Sequence, residues 1–211
     1  MKDVWDRLEA WGKKSGAGSL SLREGVTEKQ IVAAEEQMKL QFPKDLRESF
    51  LVHDGQEERE GEEDGGAFFW WMPGCSRLRS LDDVVARWVE EQDMDDGQDE
   101  EDKEPDASGD KRLKAALHHP KRIPIAGNDF WDGDNTYIDL APGSKGSVGQ
   151  LITFTTECDL AVLGTSLRAS LERYAQMLEN GKLVWNPESG ILQKGKKEWD
   201  GNTSEIFARM K

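Results

Sequence analysis

Apolar residues along this chain fall into helical and alternating runs that punctuation residues separate cleanly. Val4, Trp5, Leu8 and Trp11 share one face of a charged N-terminal helix. Gly25-Val26-Thr27 then opens a second: Thr27 caps it, Gln30 completes a capping box, and Val26 with Ile31 forms a hydrophobic staple. Ile31, Ala34 and Met38 repeat at helical spacing until Phe42-Pro43 ends that helix and begins another, since proline fits a first turn but not an interior. Leu46 and Phe50 face inward one turn apart, and His53-Asp54-Gly55 reads as the helix end, glycine being the favoured left-handed cap. The two short helices form an antiparallel pair.

Further on, Ala67-Phe68-Phe69-Trp70-Trp71 reads as a strand, Met72-Pro73-Gly74 as a turn, and Arg77-Leu78-Arg79 as a brief second strand. Ser80, with Asp83 as box partner, caps a helix burying Val84, Val85, Trp88 and Val89. Residues 111–117 form a short helix in this reading. Ile123-Pro124-Ile125-Ala126 reads as an edge strand, where proline is tolerated. Strands follow over 136–140 and 148–155, the second placing Val148, Gln150, Ile152 and Phe154 on one face and Leu151 and Thr153 on the other. Leu160 to Leu163 gives another strand. Ser166 caps a last helix lined by Leu167, Leu171, Tyr174, Ala175 and Leu178, and Gly181 ends it. Leu183-Val184-Trp185 and Gly190-Ile191-Leu192 flank Asn186-Pro187 as a hairpin, with a loose or weakly helical tail beyond.

This order predicts an α+β fold: a mainly antiparallel sheet of about five to six strands with helices on one face. A single domain occupies residues 1–181, and 182–211 add a hairpin and tail packed on it or appended to it.

The segments between these elements carry the charge. The net charge is −14, yet residues 57–64 hold a net −5 and residues 90–106 a net −10, which leaves the rest at +1. Two acidic insertions, 57–64 and 90–110, thus decorate a neutral body. Nucleic acid is a poor partner for such a chain, because phosphate binding needs a basic footprint. A basic protein partner steered in at low salt fits, and so do solvated insertions without a partner. An apolar content of 36% with eight tryptophans is ample for a packed core. No signal peptide and no apolar run of transmembrane length is read, and Cys75 and Cys158 without a CxxC fit reduced thiols, so a cytoplasmic protein is expected.

The residues that carry chemistry elsewhere each have a structural reading here. Glu35, at the edge of an apolar face, is a general acid–base candidate or, more in keeping with its place, the anchor of a neighbouring loop. His53 beside Asp54 resembles a base and its orienter, but a histidine in a last helical turn also complements the dipole. His118-His119 lacks ligand partners at metal-binding spacing. Asp132-Gly133-Asp134 begins like a calcium loop, but the sixth position is Tyr137 and the twelfth Gly143, where glycine and glutamate are needed. Gly143, Gly146 and Gly149 with Lys145 lie between two strands instead of opening a helix, so a hairpin loop accounts for them better than a phosphate cradle does. No metal or cofactor is expected, and no nucleophile, base and oxyanion site assemble.

Three stretches carry a resemblance. The helix Ile31-x-x-Ala34-Glu35, the helix Phe42-Pro43-x-Asp45-Leu46-Arg47-x-x-Phe50-Leu51, and the closing His53-Asp54-Gly55-Gln56 are similar to the opening of the SUKH superfamily. That group contains fungal cell-wall-assembly regulators of the Smi/Knr type and bacterial immunity proteins. The layout continues to about Gly181, with the acidic insertion after Glu90 as a departure. The resemblance implies a non-enzymatic protein-binding module, in the first place an immunity protein that occludes a cognate toxin. A regulatory scaffold like the fungal regulators is the alternative, and an enzyme with an unrecognised site ranks below both. A basic nuclease toxin would suit the acidic segments. Trp70 and Trp71 point to opposite faces as strand neighbours, so an exposed ring would serve as an anchor. Trp70, Trp71 and Trp131 with Glu62, Asp64, Asp132 and Asp134 are therefore the candidate partner-binding residues.

Overall fold

A computed structural model of the chain describes residues 1–57, 71–72, 77–94, 109–114, 119–127, 135–154, 160–186 and 191–194. Helix α1 (Lys2–Ser15) buries Val4, Trp5 and Leu8. Two indoles tie it down: Trp5 Nε1 donates to Ser49 Oγ at 3.2 Å and Trp11 Nε1 to the Leu178 carbonyl at 3.1 Å. After β1 (Leu22–Glu24), α2 (Glu28–Met38) starts at the expected box, Thr27 accepting from Gln30 N and the Gln30 side chain from Thr27 N. Val26 packs against the core cluster that contains Ile31. Helix α3 (Lys44–Val52) follows Pro43 and buries Leu46 and Phe50.

The chain does not turn through a glycine cap at that point. His53–Gln56 is a strand, β2, antiparallel to β1. Gly55 does have a positive φ of 75°, but what requires glycine is the backbone it touches, since a Cβ there would lie 2.6 Å from the Arg79 carbonyl.

Helix α4 (Leu81–Met94) carries the predicted Ser80–Asp83 box, with Asp83 N donating to Ser80 Oγ at 3.2 Å. Its buried face runs through Val84, Val85 and on to Glu91, whereas Val89 is 38% exposed. The helix thus continues through Glu90 and Glu91, past the point where the acidic run begins in sequence.

Strands β3 (Arg122–Gly127), β4 (Asn135–Asp139), β5 (Gln150–Phe154) and β6 (Leu160–Gly164) form an antiparallel sheet in that order, with β3 and its Pro124 at the edge. Helix α5 (Leu167–Glu179), capped by Ser166, packs on β5 and β6, and β7 (Leu183–Asn186) pairs with β8 (Ile191–Lys194) as the expected hairpin. Leu183 and Trp185 belong to the main core, so the hairpin packs on the body.

One three-residue segment joins the small and large sheets. Gln56 N donates to the Leu78 carbonyl at 2.9 Å, Arg79 N to the Ile125 carbonyl at 2.9 Å, and Leu78 bridges Ala126. The α+β fold with antiparallel pairing is as read from the sequence.

Each face of the four-stranded sheet has its own core. Ile123, Ile138 and Leu151 point into the main cluster, which residues of α1, α2, α3, α4 and α5 complete. Tyr137, Ile152, Leu160 and Val162 point the other way, joined by Leu113 and Phe154. Residues 111–114 form a turn instead of the start of a helix, and Val148 precedes β5 at 73% exposure. The remainder of the predicted 111–117 helix, the strand at 67–70 and the tail beyond Lys194 lie outside the described residues.

Candidate functional site

The His53–Gln56 corner, which looked like a base and its orienter, serves the scaffold. His53 Nδ1 lies 3.1 Å from the Arg23 carbonyl and its ring meets Trp5 edge-on at 5.9 Å. Asp54 faces elsewhere: Oδ1 accepts from Leu81 N at 2.7 Å, which caps α4 from a neighbouring strand. Gln56, fully buried, donates Nε2 to the Leu20 carbonyl at 2.8 Å and accepts from Leu78 N at 3.1 Å. Three residues of one four-residue strand thus fasten the chain at Arg23, Leu81, Leu20 and Leu78.

Glu35 also resolves to anchoring. One carboxylate oxygen accepts from Phe42 N at 2.7 Å, the other from Arg47, whose guanidinium also reaches Glu28 at 2.5 Å. This locks the α2–α3 corner. His119 accepts from Lys121 N at 3.0 Å in the turn before β3, and burial followed by the Arg122 and Lys114 charges holds its pKa below the ordinary value. The glycine run is a hairpin loop whose amides are spoken for: Gly143 N donates to the Arg112 carbonyl and Lys145 N to the Lys111 carbonyl. Asn135, in the stretch that began like a calcium loop, accepts from the buried Arg79 at 2.9 Å. Among the described residues no group of three or more His, Cys, Asp or Glu is placed to hold a metal ion.

Sequence reasoning missed the buried polar groups of the second sheet face. Tyr137 OH donates to Glu91 at 3.1 Å, and Arg87 Nε donates to the same carboxylate oxygen at 2.9 Å. Burial, followed by the Glu91 charge, drives the Tyr137 pKa far above its ordinary value, so the phenol stays neutral. One row along, Arg122, Asp139 and Gln150 are cross-strand neighbours, with Gln150 Nε2 donating to Asp139 at 3.0 Å. Burial pulls the Arg122 pKa down from its ordinary value, and the Asp139 charge opposes it. The Arg87–Glu91 spacing of four residues was the one signal of this network in the sequence.

Of the partner-binding candidates, Trp71 alone falls among the described residues. Strand β3 ends at Gly127 and β4 begins at Asn135, and β5 ends at Phe154 and β6 begins at Leu160. These anchor points are neighbours: Gly127 pairs with Asn135, Asn135 with Phe154 and Phe154 with Leu160, while Gly127 N donates to the Arg77 carbonyl at 3.2 Å. The ends of the β3–β4 and β5–β6 connections therefore lie together at one end of the four-stranded sheet, beside Arg77. Glu62, Asp64 and Trp70 fall in sequence between Glu57 and Arg77, and Trp131, Asp132 and Asp134 between Gly127 and Asn135; all six lie outside the described residues. Trp71 is a correction. Its ring is 0% exposed in the main core beside the equally buried Met72, so it supplies packing area and not an exposed anchor.

An α+β scaffold in which the described ionisable candidates are committed to internal fastening is the class of protein these features define. The chain belongs to the SMI1 / KNR4 family (SUKH-1), whose profile it matches over residues 25–173. It is 26% identical to the glucan synthesis regulatory protein of Neurospora crassa (90% of this chain, 40% of the relative) and 28% identical to the cell wall biosynthesis/cell cycle regulator smi1 of Schizosaccharomyces pombe (92% and 39%). It is 25% identical to the cell wall assembly regulator SMI1 of Saccharomyces cerevisiae (84% and 40%). The chain thus spans about two fifths of the length of these relatives. No helix among the described residues is long and apolar enough to cross a membrane.

Proposed function

We propose that this chain is a non-enzymatic protein-binding module that regulates cell-wall polysaccharide assembly, as the names of its fungal relatives describe for them. The observation that carries the reading is the family match over residues 25–173 together with three wall-regulator relatives that each cover at least 84% of the chain. The geometry is in keeping with it. Glu35, His53, Asp54 and His119 hold the scaffold together, and the connections that carry Glu62, Asp64, Trp70, Trp131, Asp132 and Asp134 have neighbouring ends at Arg77, Gly127 and Asn135. In this reading those six residues form the rim that meets the partner. The tryptophans bury area and the acids complement basic groups.

A toxin-neutralising role for the same surface draws on the acid-rich segments, which would match a basic nuclease domain. The fungal relatives favour the regulatory reading over it.

The test is a chimera: the Schizosaccharomyces pombe regulator with its matching segment replaced by this chain, expressed in cells lacking their own copy. Restored growth under wall-directed stress is the expected result. A chimera present at normal abundance that restores nothing overturns the proposal, and co-purification of a neighbouring gene's toxin with the chain would put the immunity reading in its place.

A further inference from the structure

Residues 109–114 lie against the second sheet face in an unusual manner for a piece of the core. Of the described side chains in this turn only Leu113 is buried, at 6% exposure, among Tyr137, Ile152, Leu160 and Val162. Among the described residues, the hydrogen bonds from this turn to the body run through main-chain carbonyls. The Arg112 carbonyl accepts from Gly143 N and from Gln150 Nε2, both at 2.9 Å; the Lys111 carbonyl accepts from Lys145 N at 3.0 Å; the Lys114 carbonyl accepts from Arg122 Nη2 at 2.8 Å. The donors are built for the purpose, since Arg122 and Gln150 are each 1% exposed and two glycines clear the way. A Cβ on Gly143 would stand 2.5 Å from the Leu113 and Lys111 carbonyls, and one on Gly146 2.4 Å from that of Arg112.

The turn also holds its own shape. Arg112 grips Asp110 through Nε at 3.0 Å and Nη2 at 2.5 Å, and Leu113 N donates to the Asp110 carbonyl at 3.0 Å. A preformed turn, one buried apolar side chain and recognition through the main chain are the features of a bound peptide ligand.

We propose that the groove between the β4–β5 connection (140–149) and the second sheet face is a peptide-binding site, that residues 109–114 occupy it in cis, and that a partner presenting a short basic turn with one leucine displaces them. The partner's chemistry is read from the present occupant, whose Lys111, Arg112 and Lys114 are all exposed and flank the buried Leu113. The acid-rich sequence before it would attract such a basic segment. The inference deepens the protein-binding reading and rests on it, but its test needs only the purified chain, so failure here leaves the chimera result standing.

The probe is a synthetic peptide spanning residues 107–116, titrated by fluorescence polarisation against the full chain and two variants. In Leu113→Asp the cis occupant loses its anchor. The peptide should then bind at least tenfold more tightly than to the unaltered chain, where the tethered copy competes at an effective concentration on the order of mM. In Gly143→Ala the groove itself is obstructed and binding should be lost. Amide exchange supplies the second readout: Gly143 and Lys145 should lose protection in Leu113→Asp and regain it with peptide, while Leu151 and Leu163 stay protected. Three results overturn the proposal. They are a Leu113→Asp variant that binds no peptide, one that loses protection at Leu151 and Leu163 as well, and a peptide with alanine at its leucine that binds as well as the parent.

Discussion

The Tyr137 hydroxyl donates to the Glu91 carboxylate at 3.1 Å across 46 residues of sequence, with the Tyr137 ring 2% and Glu91 2% exposed. A helix face and a strand face meet there through a neutral phenol and a carboxylate that Arg87 also grips. Tyr137→Phe removes the donor and should cost about 1–2 kcal/mol at neutral pH.

The same pair sets an alkaline limit. Burial, followed by Glu91, raises the folded-state pKa of Tyr137 above its ordinary value of 10.0. The stability it contributes is fully present below the unfolded pKa and is lost as pH climbs from there toward the folded value, because the unfolded chain releases a proton the folded one retains. Unfolding free energies from urea titrations between pH 8 and 11.5 should fall by about 1.4 kcal/mol per pH unit above pH 10 from this residue. Tyr137→Phe should lack that component of the slope; an unchanged slope would sink the assignment.

Asp54 caps a helix it does not belong to. Asp54→Ala leaves Leu81 N without its acceptor and should destabilise the fold by about 1–2 kcal/mol. Asp54→Asn keeps an oxygen in place and should recover most of the loss. Chemical denaturation of the two variants checks this, and equal losses would show that the cap is not what Asp54 supplies.

At the α2–α3 corner, Glu35→Gln retains an acceptor for Phe42 N but gives up the charge facing Arg47, whereas Glu35→Ala gives up both. The expected order of thermal midpoints is unaltered chain, then Gln, then Ala, with about 1–3 kcal/mol across the series. Gln and Ala variants with the same midpoint would contradict the corner-lock reading.

Two glycines with similar backbone angles separate conformational strain from crowding. Gly16 (φ 80°) has open space where a Cβ would go, while Gly55 (φ 75°) would drive one into the Arg79 backbone. Gly16→Ala should cost about 1–2 kcal/mol, the left-handed penalty alone. Gly55→Ala should cost well beyond that, visible as a lower yield of folded protein and a larger drop in midpoint. Similar drops would mean that β2 can shift away from Arg79.

The helices were legible in the chain because period and cap agree: Thr27 with Gln30, Ser80 with Asp83 and Ser166 all stand where the apolar repeat begins. Strand β2 was not. His53-Asp54-Gly55-Gln56 has no alternation of apolar residues, and a glycine after a helix carries the same signature whether it ends a helix or fits beneath a neighbouring backbone. The buried face of α4 was misjudged at Val89, which is 38% exposed, because that face runs on instead to Glu91, a charged residue that hydropathy does not mark as buried. Trp71 could not be placed from its neighbours, since a tryptophan pair reads alike on a covered or a bare strand. The roles of Gly143 and Gly146 depend on a turn some thirty residues earlier in the sequence, a relation that spacing alone does not contain.

Main-chain pairing at the two ends of a connection has an evolutionary corollary. Rewriting the string tied between Gly127 and Asn135 leaves the ladders intact, because its knots are main-chain pairs indifferent to its side chains. A body of this kind can exchange one acquaintance for another by drift in its fringe, without having to invent a new way to fold.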